Sequence, residues 1–203
     1  MDPSAQEQQA DRTVRLAVDL VNLRLRLGDA PLDAAVLRRF LAGHGEQPPI
    51  RLGDADTAAI AAVEAELRSV FDAPDVHAAA RVTNRLLERA SDPPRLSDHD
   101  GTPWHLHVTA EDAPWAEWLA ATTGMGLARL LVEDGSARIG RCAAPRCRRV
   151  FAGGPRNHAR RYCSPACGNA ARVAAFRARG RAVGRGQGQP ASATRAGRGS
   201  LKR

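Results

Sequence analysis

The stretch that decides the fold of the C-terminal region is CAAPRCRRVFAGGPRNHARRYCSPAC, residues 142–167. It contains all four cysteines of the chain as two close pairs, Cys142 with Cys147 and Cys163 with Cys167. Two short pairs separated by a loop are typical of a tetrahedral four-thiolate zinc site, because each turn brings two sulfurs to the same ion. The sequence therefore predicts one structural Zn²⁺. Since four thiolates leave no open coordination position, it predicts no catalytic metal.

The residues around the second cysteine pair predict the start of a helix. Ser164 is a good N-cap and Pro165 a good first helical residue, which places Cys167 in the first turn, where the helix dipole favours a thiolate. Residues 148–151 and 160–162 are predicted to pair as a short hairpin. The turn that holds Cys142 and Cys147 (the knuckle), this hairpin and the helix together make a treble-clef-like module, which needs metal to fold.

Two alternatives exist for this ligand set. Two redox disulfides are one, but they are disfavoured in a basic intracellular segment. His158 in place of a cysteine is the other, and it is better explained as a loop residue because four thiolates already complete the site.

Charge divides the chain near residue 140. Residues 1–139 hold all 22 acidic residues and 14 of the 30 basic ones, for a net charge of −8, whereas residues 140–203 have no Asp or Glu and 16 basic residues. Four thiolates on Zn²⁺ would lower the charge of this second part to about +14. A folded module without carboxylates indicates a polyanionic partner, most commonly nucleic acid.

Arginines surround the cysteines and continue along the helix that follows them. Their guanidinium groups would give salt-dependent affinity for DNA, with RNA as the alternative polyanion. Beyond residue 180 the Gly, Ser, Pro and Arg composition predicts a disordered basic tail over 181–203. The side chains predicted to contact nucleic acid are Arg148, Arg149, Arg156, Asn157, Arg160, Arg161, Asn169, Arg172, Arg177 and Arg179.

The first part of the chain has the apolar spacing of amphipathic helices. Asp100-Gly101, followed by the alternation of Trp104, Leu106 and Val108 with polar residues, predicts a β-hairpin with one buried face. The predicted fold is therefore mostly α with a small β-hairpin, a helical N-terminal domain followed by a small treble-clef-like four-cysteine zinc finger. The predicted helices cover 12–27, 32–42, Asp54 or Asp56 to Phe71, Asp75 to Ala90 and Glu111 to Glu133.

No catalytic motif is evident, since a nucleophile elbow, a P-loop and a dinucleotide fingerprint are all missing from the sequence, and we do not expect an enzyme. Four side chains are candidates for binding a small ligand, namely Asn22, Arg26, His105 and His107. The first two lie near the end of the first predicted helix. The histidines share one face of the hairpin with His99 opposite, an arrangement suited to a second metal or an anion. The alternative is that all of them are solvated surface side chains.

The string from Cys142 to Arg179 resembles the CGNR zinc finger family. Two further stretches, 16–26 (LAVDLVNLRLR) and 127–147, resemble the ABATE-type domain that precedes this finger in the family. The residues that carry the resemblance in the finger are the four cysteines, Phe151, Arg156-Asn157, Arg160-Arg161, Tyr162, Ser164, Gly168-Asn169 and Phe176-Arg177-Ala178-Arg179.

This resemblance implies a stress-induced bacterial transcription regulator with a DNA-binding finger and an N-terminal domain that senses a ligand. The chain departs from the family pattern at Ala170, where the signature has an arginine, and Arg172 is the nearest replacement. Tyr162 stands where tryptophan is frequent, and the second cysteine pair is closer by one residue than in many members.

Four segments are predicted: a flexible N-terminus over 1–11, a helical ABATE-like domain over 12–139, a CGNR-type finger over 140–180, and the tail. The start lacks the basic and apolar regions of a secretory signal and no apolar run reaches about 18 residues, so we expect a cytoplasmic, nucleoid-associated protein without membrane contact. The predicted function is DNA-binding transcription regulation, with a homodimer joined through the body adding to the small area of one finger. An RNA- or ribosome-associated zinc protein, and an enzyme targeted by its finger, are the alternatives.

Overall fold

The computed structural model describes residues 3–97, 104–110, 112–153 and 160–186, and these form helices and two small ribbons. Strand β1 (Arg95–Ser97) pairs antiparallel with β2 (His105–His107), and β3 (Ile139–Arg141) pairs antiparallel with β4 (Val150–Ala152). The mostly helical fold with small β elements that the sequence predicts is confirmed. The helices are α1 (Pro3–Leu27), α2 (Ala34–Gly43), α3 (Asp54–Phe71), α4 (Val76–Ala90), α5 (Trp115–Asp134) and α6 (Pro165–Gly186).

The helices of the body begin where the sequence supplies a cap. Asp33 Oδ1 accepts a hydrogen bond from the Val36 N–H at 2.8 Å, and Asp75 Oδ1 accepts one from the Ala78 N–H at 2.7 Å. Each carboxylate satisfies one of the backbone donors that a helix N-terminus leaves unpaired. Asp33 caps α2 and Asp75 caps α4, and both helices begin within two residues of the positions predicted from the sequence.

Helix α2 adds Leu37 and Leu41 to a hydrophobic core that is built mainly by four helices, α1, α3, α4 and α5. A fully buried leucine from each of them reaches its centre, and strand β4 adds Val150 to the same cluster. Those four leucines are Leu20, Leu67, Leu86 and Leu119. None of the described helices combines the length and the apolar character that crossing a bilayer requires.

The first and last helices are longer than the sequence indicates. Helix α1 begins at Pro3, within the segment 1–11 predicted to be flexible, and α6 continues to Gly186, past the boundary at 180. Ala, Gln, Glu and Arg are good helix formers, whereas our prediction required an apolar period that these stretches lack. Residues 187–203, the rest of the predicted tail, lie outside the described residues.

The ribbon β1–β2 does not have the buried face that its alternation predicts. The side chains of Trp104 and Leu106 are 57% and 56% exposed. Leu96, which pairs with Leu106 across the ribbon, is 67% exposed. Only where the chain leaves the ribbon does it return to the core, at the buried Val108. Alternation identifies the two faces of a strand but cannot show that a helix covers one of them, and here the exposed face carries the apolar residues.

The crossing of α1 and α5 depends on Gly126. A Cβ atom added there would collide with the side chain of Thr13 and lie 3.1 Å from the backbone nitrogen of Val14.

We expect Gly126→Ala to push the helices apart and to lower the free energy of unfolding by about 1–3 kcal/mol, measured by denaturant titration of the circular dichroism. The control is Gly43→Ala in α2, where an added Cβ meets no atom within 4 Å. Equal stability of the two variants would contradict this packing.

Candidate metal centre and nucleic-acid interface

The four cysteine sulfurs converge on one point. All of them lie within 4.8 Å of one another, with Cys147 Sγ 3.7 Å from Cys163 Sγ and Cys163 Sγ 3.5 Å from Cys167 Sγ. Four thiolates bound tetrahedrally at about 2.3 Å from Zn²⁺ would be about 3.8 Å apart. The arrangement therefore fits one structural zinc ion, as the spacing of the cysteines predicts.

The first pair lies in a tight knuckle at the end of a ribbon. The Cys147 N–H donates to the carbonyl of Ala144 at 3.0 Å, and Arg146 has a positive φ of 67°, which turns the chain back. The Cys142 N–H donates to the carbonyl of Arg149 at 2.9 Å and closes the ribbon next to the knuckle. The turn thus points both sulfurs of the pair to the same side.

The predicted hairpin between 148–151 and 160–162 is wrong. Strand β4 pairs with β3 on the other side of the knuckle, and 160–162 form no strand. A single backbone bond from the Ala143 N–H to the carbonyl of Arg161, at 2.8 Å, joins this segment to the knuckle. The short Cys142–Cys147 connection already closes a hairpin locally, and this local closure costs less chain entropy than pairing across the longer loop.

The second pair is positioned by the start of α6, as predicted. The Cys167 N–H donates to Ser164 Oγ at 3.2 Å, and Pro165 is the first residue of the helix. This cap places Cys167 in the first turn, where the helix dipole stabilises a thiolate. Gly168 lies against Tyr162, since a Cβ at Gly168 would be 3.4 Å from the tyrosine ring.

The thiols do not ionise independently of one another. Burial opposes ionisation of Cys142, but hydrogen bonds from the backbone and from neighbouring thiols outweigh it and lower its pKa to about 7. Burial, together with the adjacent thiols, raises the pKa of Cys163 to about 12. Four negative charges this close need a cation, so binding of a divalent metal would release protons from the cluster.

The finger is docked on the helical body through Asn22 of α1. Its Nδ2 donates to the carbonyl of Val150 at 3.1 Å, and its Oδ1 accepts from the Val150 N–H at 3.0 Å. Val150 is 1% exposed and its neighbour Phe151 3%. Both amide groups of Asn22 are used in this way, which gives this side chain a structural role, and its assignment to a ligand site stays a prediction.

A second contact joins the finger to the body at the end of α3. The Arg141 guanidinium makes a two-point ion pair with Asp72, through Nε to Oδ1 and through Nη2 to Oδ2, the latter at 2.8 Å. The same guanidinium donates to the carbonyl of Arg148 at 3.2 Å. Strands β3 and β4 are thus fixed to α1 and α3 at two places, and the charge boundary near residue 140 is not a break in the packing.

Arg160, one of the predicted nucleic-acid contacts, braces the finger internally. Its guanidinium donates to four backbone carbonyls and lies 5.1 Å from the centroid of the Phe151 ring. These bonds hold the segment before Cys163 against the ribbon, so few of its donors remain for phosphate. The four carbonyls belong to Ala152, Gly153, Tyr162 and Cys163.

Most other predicted nucleic-acid contacts are exposed to solvent. In this group Asn169 Oδ1 accepts a hydrogen bond from Arg172 Nη2 on the surface of α6. Arg156 and Asn157 lie outside the described residues. The exposed residues are Arg148, Arg149, Arg161, Asn169, Arg172, Arg177 and Arg179.

The remaining candidate ligand residues are dispersed among different elements. Arg26 is exposed on α1, whereas His107 lies half-buried in β2 with Nδ1 3.1 Å from the carbonyl of Thr109. His99 and the side chain of His105 are outside the described part of the chain. Among the side chains that the structure describes, the cysteines are the only cluster suited to a metal.

Comparison with family models gives two matches. Residues 14–134 match ABATE, described as "Putative stress-induced transcription regulator", and residues 138–180 match the CGNR zinc finger. A search of curated proteins gives no significant match. The two matched ranges together cover the helical body, the metal centre and most of α6.

Removal of one thiolate tests the metal centre. We expect Cys163→Ser to lose the zinc that the wild type binds at about one ion per chain, because three thiolates hold structural zinc far less tightly. Elemental analysis gives the stoichiometry, and circular dichroism follows the body helices. The control is His107→Ala, which should retain zinc. A full equivalent of zinc in Cys163→Ser would contradict the four-thiolate site.

The Asn22 contact is tested by truncation. Asn22→Ala leaves the N–H and C=O of Val150 buried without partners, which should lower the free energy of unfolding by about 2–4 kcal/mol. Asn84→Ala, at an exposed position of α4, is the matched control and should change stability by less than about 1 kcal/mol. Chemical denaturation measures both, and equal losses would show that the finger is not held to the body by Asn22.

Proposed function

The chain belongs to the ABATE family and carries a CGNR zinc finger, and on this basis we propose that it is a transcription regulator that binds DNA through the finger and α6. The family description and the zinc-binding cluster support a regulatory zinc protein rather than an enzyme. In this proposal the zinc ion is structural. It fixes the arginines around it, and the protein works at the nucleoid in the cytoplasm.

The observation that carries the proposal is the charge of the finger. Arg148, Arg149 and Arg161 are exposed around the knuckle, and the sequence from 140 onward offers no carboxylate to neutralise them. A surface that only needed solubility would mix both signs of charge. Guanidinium groups fixed on a folded scaffold bind phosphate oxygens with little loss of backbone entropy, which favours a nucleic-acid backbone as the partner.

The docking of the finger supports a sensing role for the body. A ligand that moved α1 or α3 would act on Asn22 or Asp72, and each of these side chains holds a strand of the finger. The described residues therefore provide a direct route from the helical core to the arginines. We propose that the body binds a small ligand and changes the position of the finger, and that a homodimer supplies the contact area one finger lacks.

The same surface charge would also attract RNA, and a comparison of duplex DNA with a structured RNA hairpin in the same salt titration separates the two partners. Fluorescence anisotropy of a labelled 24-base-pair duplex should give an affinity that falls steeply with salt. The double variant Arg148→Gln, Arg149→Gln should lower the slope of log K against log salt concentration by about 2, or about 1 per phosphate contact.

The matched control is Arg81→Gln in α4, an exposed arginine of the body that should leave the slope unchanged. Tighter binding of a structured RNA hairpin than of the duplex at every salt concentration would transfer the proposal to RNA. Absence of binding to either nucleic acid by the zinc-loaded protein would overturn it.

A further inference from the structure

Helix α6 exposes two large apolar side chains. Phe176 is 71% exposed and Val173 is 48% exposed. Among the described residues, neither the knuckle nor the helical body covers these two side chains. Scattered apolar residues are common on protein surfaces, but a phenylalanine exposed to this degree within an arginine-rich helix calls for a partner.

These side chains share one face of the helix. Asn169, Val173 and Phe176 are separated by four and three residues, so they lie one above the other along α6. Cys167 and Gly168, by contrast, face the metal centre and Tyr162. The apolar strip formed by Val173 and Phe176 therefore points away from the zinc site and outward from the finger.

Arginines border the apolar strip on both sides. By helical spacing Arg172 precedes the strip around the helix axis and Arg177 follows it, and both are exposed. Arg172 is oriented by its hydrogen bond to Asn169 Oδ1. The face thus offers a narrow apolar contact between two cationic edges.

The charge of this face selects among the partners that an apolar strip could have. A second copy of α6 packed on the strip would bring arginines against arginines, with no acidic residue in 140–203 to compensate them. A lipid surface would gain little, because two apolar side chains provide a small area to bury. A groove of nucleic acid matches both the apolar strip and the arginines on its two sides. Phosphates line the two rims of such a groove, and the bases form its floor.

Building on the DNA-binding function proposed above, we propose that α6 lies in the major groove of duplex DNA with Val173 and Phe176 against thymine methyl groups. The major groove is wide enough to admit an α-helix, and the C5-methyl of thymine is the apolar group on its floor. Arg172 and Arg177 would then reach the phosphates on either side. This contact gives the protein a preference for A·T pairs that salt does not screen.

The test removes the apolar contact first from the DNA, by replacing thymine with uracil, and then from the protein, by replacing Phe176 with alanine. Affinities are measured at one salt concentration for an A·T-rich duplex and for the same duplex with uracil in place of thymine. Wild type should lose about fourfold in affinity for each contacted methyl group that uracil lacks. Phe176→Ala should bind the thymine duplex about tenfold more weakly than wild type, with an unchanged salt slope, and should lose most of the discrimination against uracil.

Val132→Ala is the matched control, since Val132 is 88% exposed but lies on α5 in the body. It should bind both duplexes as wild type does, and zinc content should be the same in all three proteins. Equal affinity of wild type for thymine and uracil duplexes, or an unchanged affinity in Phe176→Ala, would overturn the contact while leaving DNA binding by the arginines intact. A change of oligomeric state in Phe176→Ala would assign the strip to self-association instead.

Discussion

Four sulfur atoms within 4.8 Å of one another can ionise together only around a cation, and the C-terminal region depends on this requirement. The knuckle between β3 and β4 supplies two of the sulfurs, Cys163 supplies the third and the first turn of α6 supplies the fourth, so the metal joins a ribbon to a helix. Arg160 completes the junction by bonding the carbonyls on both sides. With the metal in place, the arginines of the knuckle and of α6 are held on one scaffold.

The junction with the body turns two charge domains into one packed structure. Asn22 satisfies the backbone of Val150 in a place where water cannot, and Arg141 crosses to Asp72 at the end of α3. A buried backbone pair without partners costs more than the hydrogen bonds gain, so this contact is selective for the docked position. The acidic body and the basic finger are therefore mechanically connected.

Periodicity and spacing predicted the local features, and tertiary contacts decided the rest. The cysteine spacing and the Ser164 cap are short-range features, and both appear in the structure as expected. The role of Asn22 could not be predicted, because its partner lies 128 residues away and a polar residue on a helix gives no indication of what it faces. The pairing of β4 with β3 was missed because the short Cys142–Cys147 connection favours local closure of the ribbon, whereas residue patterns do not express the chain entropy of a connection.

The DNA binding proposed for the finger should depend on zinc, and chelation tests this dependence most directly. Duplex affinity is measured for the zinc-loaded protein, for the same sample after removal of the metal, and again after one equivalent of Zn²⁺ is restored, all at a fixed salt concentration. The scaffold described above predicts that removal weakens binding at least about tenfold, because the arginines lose their fixed positions, and that zinc restores it. Equal affinity with and without metal would show that the metal centre does not organise the DNA-binding surface.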